Sequence, residues 1–424
     1  DLLVQRMLRK CHDSLNGIPD VWHFHNHALG KNVIMPLLVD FMAENGYPLL
    51  LQLHDFAEDN RPVNYDFLCD HLRGTELMDE TGVPAIYPLK GRTHYAVLNQ
   101  RDEQYMKRAG VPADHLAVLP NAVWLEEDDE KVSKNACPED ARPLFVYPGR
   151  AIRRKNIGEF LLWAGVYGQK GRFAITLEPK NPIERKTYNA WVAFAESQGL
   201  SVEFNYGMTS GLPLPQLLRE ADAVFTTSIC EGFGMAFLEP WLVDTPVYGR
   251  DLPGITADFK ANGVDLSMLY GNLMVPVDWI DAEKFRDKVR NAASAVWQSY
   301  RRNMPEKFPE RVVASAMQND MVDFAKLDEE DQKQVITTIT NNNRARELLN
   351  PSDFRFNGEA DENTVTHNHN VVREAYSLDK FGERLLRFYE KVASSEHSKG
   401  DNIPMTALLD CFMAPEEFYL LRFA

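Results

Sequence analysis

The chain has 424 residues, 44% of them hydrophobic and 25% charged, enough apolar material for two or three domains with real cores. Lys and Arg number 46 against 62 Asp and Glu, a formal charge of −16; this excludes a general nucleic-acid binder, since no basic stripe is present to meet phosphates, and weighs against docking on an anionic membrane. The five cysteines (Cys11, Cys69, Cys137, Cys230 and Cys411) are widely spaced with no Cys-x-x-Cys pair, which favours reduced thiols and a cytoplasmic location, and neither a membrane-length apolar run of ~20 residues nor a signal peptide is visible.

Leu2, Leu3, Met7, Leu8 and Cys11 fall at helical spacing. The chain begins at Asp1 rather than Met, so a segment before it is expected to be missing. A strand over residues 20–24 follows and runs into His23-Phe24-His25-Asn26-His27. Alternate strand residues share a face, so the three histidines have the spacing to converge on a metal. No cysteine or further ligand pattern accompanies them, and no metal is expected. Ile34, Leu37, Leu38, Phe41 and Met42 make a helical stripe that Gly46 stops. Residues 48–53 are a buried strand ending in His54-Asp55-Phe56.

Residues 57–82 are polar and irregular, with a short helix expected around 66–73. A strand at 95–98 leads to Asn99, which caps a helix that Gly110 ends. Another strand, 116–123, contains Asn121. The first domain is therefore residues 1–124. Residues 125–142 change composition sharply and read as a linker. The acidic run from Glu126 to Glu130 is a solvated part of it rather than a metal element, because no buried strand delivers it.

From 143 to 400 the chain alternates strands (144–147, 173–177, 202–206, 223–227, 246–249) with helices (156–166, 183–198, 214–220). That alternation implies a parallel sheet covered by helices. The chain turns polar and helix-rich from about 280, its Asn-rich residues 341–370 give no confident reading, and an amphipathic helix follows over 376–392. Residues 401–424 are apolar enough for a packed terminal helix.

Two loops of the second domain carry chemistry. The strand 144–147 leads into Pro148-Gly149-Arg150 and then Lys155-Asn156, so two cations stand in a strand-to-helix loop, where doubly wound sheets hold ligands. The strand 223–227 leads into Glu231-Gly232-Phe233-Gly234-Met235-Ala236-Phe237-Leu238-Glu239. Read as strand, turn and helix start, this places two glutamates about two turns apart on one side. The glycines let a ligand approach the backbone, and the amides of a helix start can face phosphate. Alone, such a glutamate pair is also what a solvated helix face looks like.

Together, Gly149-Arg150…Lys155 and Glu231…Glu239 resemble the C-terminal elements of the retaining GT-B glycosyltransferases, in particular glycosyltransferase family 4. The resemblance covers roughly residues 20–300. It implies an α/β fold of two Rossmann-like doubly wound domains facing across a cleft, with a helical C-terminal extension. The family's first strand and Gly-rich loop have no counterpart here, and Glu178-Pro179-Lys180 stands where a Gly-rich turn is usual. The implied reaction moves a sugar, with retained configuration, from a nucleoside-diphosphate sugar to a small-molecule or glycan hydroxyl. Arg150 and Lys155 would neutralise the leaving diphosphate, aided by Gly149 and the amides of Phe233, Gly234 and Met235. Glu231 would hold the donor sugar and Glu239 the ribose. His54 would lie near the reacting sugar, and His25, His27 and Asn121 on the acceptor side; for the histidines a purely structural role stays open. No metal or other cofactor is required by this reading. The terminal helix is expected to cross back to the first domain. A GT-B phosphorylase would need a pyridoxal phosphate lysine that no segment suggests, and a non-catalytic nucleotide-sugar-binding scaffold has little use for the grouped charges. A Rossmann oxidoreductase is disfavoured, since no Gly-x-Gly-x-x-Gly follows a strand.

Overall fold

The structure, a computed structural model, describes residues 2–126, 142–349 and 361–423. The expected linker at 125–142 and its acidic run thus lie almost wholly outside the described residues. The chain forms two compact units, Asp1–Asn121 with Val296–Asn303 and Asp379–Ala414, and Ala122–Ala295 with Met304–Leu378 and Pro415–Ala424. Each unit draws on separate pieces of sequence, whereas the reading above gave all of 143–400 to one domain.

The first unit is built on four parallel strands in the order Trp22–His25, Pro48–Leu53, Arg92–Val97, Leu116–Val118. Pro48–Leu53 is central and buried from Leu49 onward, which is why it reads as an unbroken apolar run. One face packs Leu50, Ala96 and Leu119 against Phe388 and Val392 of the helix Leu378–Ser394. Asn99 caps Gln100–Ala109 by accepting the Asp102 amide at 2.8 Å, and Gly110 ends that helix in the left-handed region. The strand expected over 116–123 stops at Val118; Pro120 has no amide to give a ladder. Ala85–Tyr87, which the sequence did not suggest, pairs antiparallel with Ile403–Pro404.

The second unit holds a six-stranded parallel sheet. Its order is Leu269–Tyr270, Val247–Arg250, Ala223–Thr226, Leu144–Arg150, Arg172–Leu177, Val202–Phe204. The expected strand–helix alternation is present, with Ile157–Tyr167 and Pro182–Ser197 as the first crossovers. The expected single terminal helix is instead three pieces: Met405–Phe412 belongs to the first unit, while Pro415–Glu417 and Leu420–Phe423 belong to the second. Pro415 breaks the helical run, since proline cannot donate to the preceding turn.

Candidate active site

Strand order reverses between two neighbours of the second sheet. From Leu144–Arg150 the chain steps outward through Arg172–Leu177 and Val202–Phe204, then returns to Ala223–Thr226 and proceeds the other way. Loops leaving such a pair part in opposite directions, and the crevice beyond their carboxyl ends is where open α/β sheets seat ligands. Gly149 and Arg150, expected in the first of these loops, close the strand itself, Lys155 lies in the loop after it, and the second loop leads through Glu231 to Glu239.

Gly149 has φ of +99° and open space where a side chain would stand. Its amide donates to Thr176 Oγ1 at 2.7 Å, and the same hydroxyl donates to the Gly149 carbonyl at 3.0 Å. Arg150 donates to the carbonyl of Glu178 at 3.2 Å, so the Glu178-Pro179-Lys180 loop orients its guanidinium. A 3-10 turn, Arg153–Lys155, then leads through left-handed Asn156 into the helix Ile157–Tyr167. Gln332 donates to Asn156 Oδ1 at 2.9 Å, and Asn156 donates to Glu159 at 2.9 Å.

Hydrogen bonds join this turn to the loop after Ala223–Thr226. Thr227 donates to the Asn156 carbonyl at 2.9 Å, and the Ile229 amide to the Arg154 carbonyl at 2.9 Å. Tyr147 donates to the Lys155 carbonyl at 2.9 Å and shares a 2.8 Å bond with the Ser228 hydroxyl. Lys155 Nζ pairs with Glu231 Oε1, while Arg154 reaches Glu231 Oε2 and the Cys230 carbonyl, each at 3.1 Å.

The two glutamates differ in kind. Burial alone would raise the Glu231 carboxyl, but Lys155 and Arg154 outweigh it and hold the group below its ordinary value. The Lys155 ammonium is pulled down by burial and raised more by Glu231, so it stands above its ordinary value. Glu239 is raised by burial, with Lys155 alone opposing, and its carboxylate makes no hydrogen bond or ion pair among the described residues. The expected helix carrying both is not formed. Glu231 sits in the loop, and Glu239 opens a second 3-10 turn, Glu239–Val243, after Met235–Phe237. Gly234 at φ +92° and the missing amide of Pro240 break the helical path. A Cβ on Gly234 would stand 2.9 Å from Ile255.

Phe233 is buried, its ring edge-on to Phe259 and Tyr376, so only its backbone can face a ligand. The amides of Phe233, Gly234 and Met235 find no acceptor among the described residues. Beneath the site, Arg250 bridges Glu159 and Asp323 at 2.8 Å each, all three side chains being at most 3% exposed. Tyr147, Ser228, Thr227 and Arg154 are the site residues the sequence reading missed. Arg154 adjoins Lys155 in the run Arg153-Arg154-Lys155, and that run was the available signal.

In the first unit, His25 and His54 meet at the carboxyl ends of neighbouring strands, Nδ1 to Nε2, at 2.8 Å. The Asn26 side chain accepts the His54 amide at 2.7 Å and so fixes that strand end. Burial lowers both histidines, and for His54 the neighbouring His25 adds to it. His23 bonds the Tyr389 hydroxyl at 2.8 Å. His27 is turned into the core, its Nε2 bonded to the Ile86 carbonyl at 3.1 Å and its pKa pushed down to about 4 by burial; it faces no ligand space. Asn121 makes no hydrogen bond among the described residues. No group of three or more His, Cys, Asp or Glu among them could hold a metal ion.

Two Rossmann-like units with these sheet orders make the fold GT-B, and comparison with solved structures agrees. The structure is similar to that of Anabaena HepE in complex with UDP-glucose, with a TM-score of 0.50 at 12% identity over 92% of this chain and 82% of that one. HepE with UDP and glucose gives the same TM-score and identity over 92% and 81%. No family model matches the chain. Among curated proteins it is similar to the mannosylglucosyl-3-phosphoglycerate synthase of Petrotoga mobilis, 26% identical over 345 residues. That match spans 76% of this chain and 64% of the relative's own length. Among the described residues, no helix is long and apolar enough to cross a membrane.

Proposed function

We propose that this chain is a retaining glycosyltransferase of glycosyltransferase family 4 that moves a sugar from a nucleoside-diphosphate sugar to an acceptor hydroxyl without a metal. The observation that carries the reading is the gathering of Arg150, Lys155, Glu231 and Glu239, the last with no hydrogen bond or ion pair among the described residues, at the point where the sheet order reverses. The name of the Petrotoga relative and the UDP-glucose bound to HepE support it. The relative's name further suggests a small phosphorylated glycoside as acceptor. Cys11, Cys69, Cys230 and Cys411 form no disulfide among the described residues, which suits the cytoplasm.

Breaking the bond to the sugar builds negative charge on the diphosphate and positive charge on the anomeric carbon. Arg150 and Lys155 act where the negative charge develops, and the amides of residues 233–235 add donors. One unit charge at ~4 Å contributes about 4 kcal/mol at an effective dielectric near 20, so two replace the ion that other transferases use. Gly149, lacking a side chain, lets the phosphates approach the backbone. Glu231 accepts from the hydroxyls of the donor sugar and Glu239 from those of the ribose, since a carboxylate accepts two hydroxyls at once. His54, oriented through His25, attends the acceptor. Retention follows the family's front-face path, in which the leaving phosphate takes the acceptor proton.

The test offers UDP-, GDP- and ADP-linked glucose and mannose with glucosyl-3-phosphoglycerate, and reads the anomeric configuration of the product by proton NMR. An α-linked product from an α-linked donor supports the reading. An inverted product contradicts retention. Release of sugar 1-phosphate only with inorganic phosphate would mean a phosphorylase, and tight donor binding without transfer would mean a scaffold.

A further inference from the structure

Glu231 holds one cation on each carboxylate oxygen, Lys155 on Oε1 and Arg154 on Oε2. The two cations are not equivalent. Lys155 is enclosed in the crevice and is the group that the reading above sends to the diphosphate. Arg154 is tied to the loop that carries Glu231: its guanidinium also donates to the Cys230 carbonyl at 3.1 Å, and its own carbonyl accepts the Ile229 amide at 2.9 Å. Once Lys155 turns to a diphosphate, a carboxylate only 6% exposed needs another counterion. A buried carboxylate left unpaired takes up a proton instead. Protonated, Glu231 could no longer accept two sugar hydroxyls as an anion.

We propose that Arg154 is a positioning residue that keeps Glu231 ionised and in place while Lys155 is shared with the donor diphosphate. The inference rests on the glycosyltransferase reading of this site. Among the described residues, the other groups acting on Glu231 supply no positive charge. Ser228 offers a hydroxyl hydrogen bond, Tyr147 interacts with both Lys155 and Glu231 as a neutral hydroxyl, Cys230 is the chain neighbour, and Glu239 interacts with Lys155.

Two measurements test it on the wild type, Arg154→Gln and Arg154→Lys. The Arg154 side chain is 42% exposed, so glutamine is accommodated, and Arg154→Met is the second variant should it fail to fold. The first measurement is the NMR titration of the Glu231 carboxyl carbon in the ligand-free protein, recognised by its loss in Glu231→Gln. Loss of one adjacent cation should raise the midpoint in Arg154→Gln by about one pH unit or more, and Arg154→Lys should restore most of it. The second is calorimetry of UDP, with GDP and ADP alongside, in two buffers of different ionisation enthalpy, at a pH above the ligand-free midpoint found for each protein. Wild type should bind with little proton uptake, and Arg154→Gln with uptake approaching one proton. Equal midpoints, or equal uptake, in wild type and Arg154→Gln overturn the proposal. If no nucleoside diphosphate binds the wild type, the glycosyltransferase reading fails, and the ligand-free titration still decides whether Arg154 is the counterion of Glu231.

Discussion

Lys155 is the side chain on which most depends, because it is both the partner of Glu231 and the proposed cation of the leaving group. Lys155→Ala should cut turnover by roughly 10²–10³, as loss of one transition-state donor does elsewhere, with donor KM changed less. Steady-state kinetics decide this, and wild-type turnover would remove Lys155 from the mechanism. Glu239 and Glu231 look alike in the sequence and should fail differently. Glu239 makes no hydrogen bond or ion pair among the described residues and is proposed to hold the unreacting ribose, so Glu239→Gln should raise donor KM and weaken free nucleoside diphosphate with kcat less affected. Glu231→Gln should lower kcat more than it raises KM, and should leave free diphosphate binding nearly unchanged, because that ligand carries no sugar. Calorimetry with both variants separates them; a swapped pattern would mean the donor lies the other way round. The residue types were legible at these positions. Pairing was not: nothing in the spacing of Arg154, Lys155 and Glu231 says that the residues meet across two loops.

At the scale of elements, the site depends on how two loops leave neighbouring strands. The strand ends were readable to within a few residues, because buried parallel strands are continuous apolar runs. The loop after Ala223–Thr226 was misread as the start of a helix. Glycine and proline punctuation decides there, and the chain makes two 3-10 turns separated by Leu238. Beneath the first loop, and joined to it through the Asn156–Glu159 hydrogen bond, lies the buried set Glu159, Arg250 and Asp323, with the Tyr270 hydroxyl donating to Glu159 at 2.5 Å. Burial raises the Glu159 carboxyl even against Arg250, so this set depends on its cation. Arg250→Met should therefore cost about 3–5 kcal/mol, since it strands two buried carboxylates. Urea denaturation reads this directly, and a loss under about 1 kcal/mol would mean that water or a protonated Glu159 replaces the cation. No helical or strand period joins residues 159, 250 and 323, so this network could not be read from the sequence.

For the whole molecule, activity should survive EDTA if, as proposed, Arg150 and Lys155 supply the charge a divalent ion would bring. Full loss on chelation, restored by Mg²⁺ or Mn²⁺, would refute this. Two buried groups of the first unit should shape the pH dependence of stability, opposing each other between the ordinary carboxyl and imidazole ranges and leaving a net decline above neutrality. His27 is lowered to about 4 by burial, so the folded state binds fewer protons than the unfolded one between there and its ordinary value, and stability is lost as pH falls through that window. Glu58, hydrogen-bonded by Tyr87 at 3.0 Å, is raised by burial to about 8. It keeps its proton where the unfolded chain has released it, so stability is lost as pH rises from the ordinary carboxyl range to about 8. Glu58→Gln should flatten the decline of urea midpoints above neutrality and unmask the loss below it that His27 causes; an unchanged slope above neutrality would show that Glu58 is ionised in the fold. The sequence by itself determined the class of fold and the two charged loops, because strand–helix alternation and Gly-Arg…Lys with Glu…Glu are local patterns along the chain. Only the tertiary structure decided which side chains meet. The sheet order sets two loops about 80 residues apart side by side at its reversal point, and burial there fixes which carboxylate is paired and which stands open; in the first unit, separately, packing puts His27 in the core while His25 meets His54.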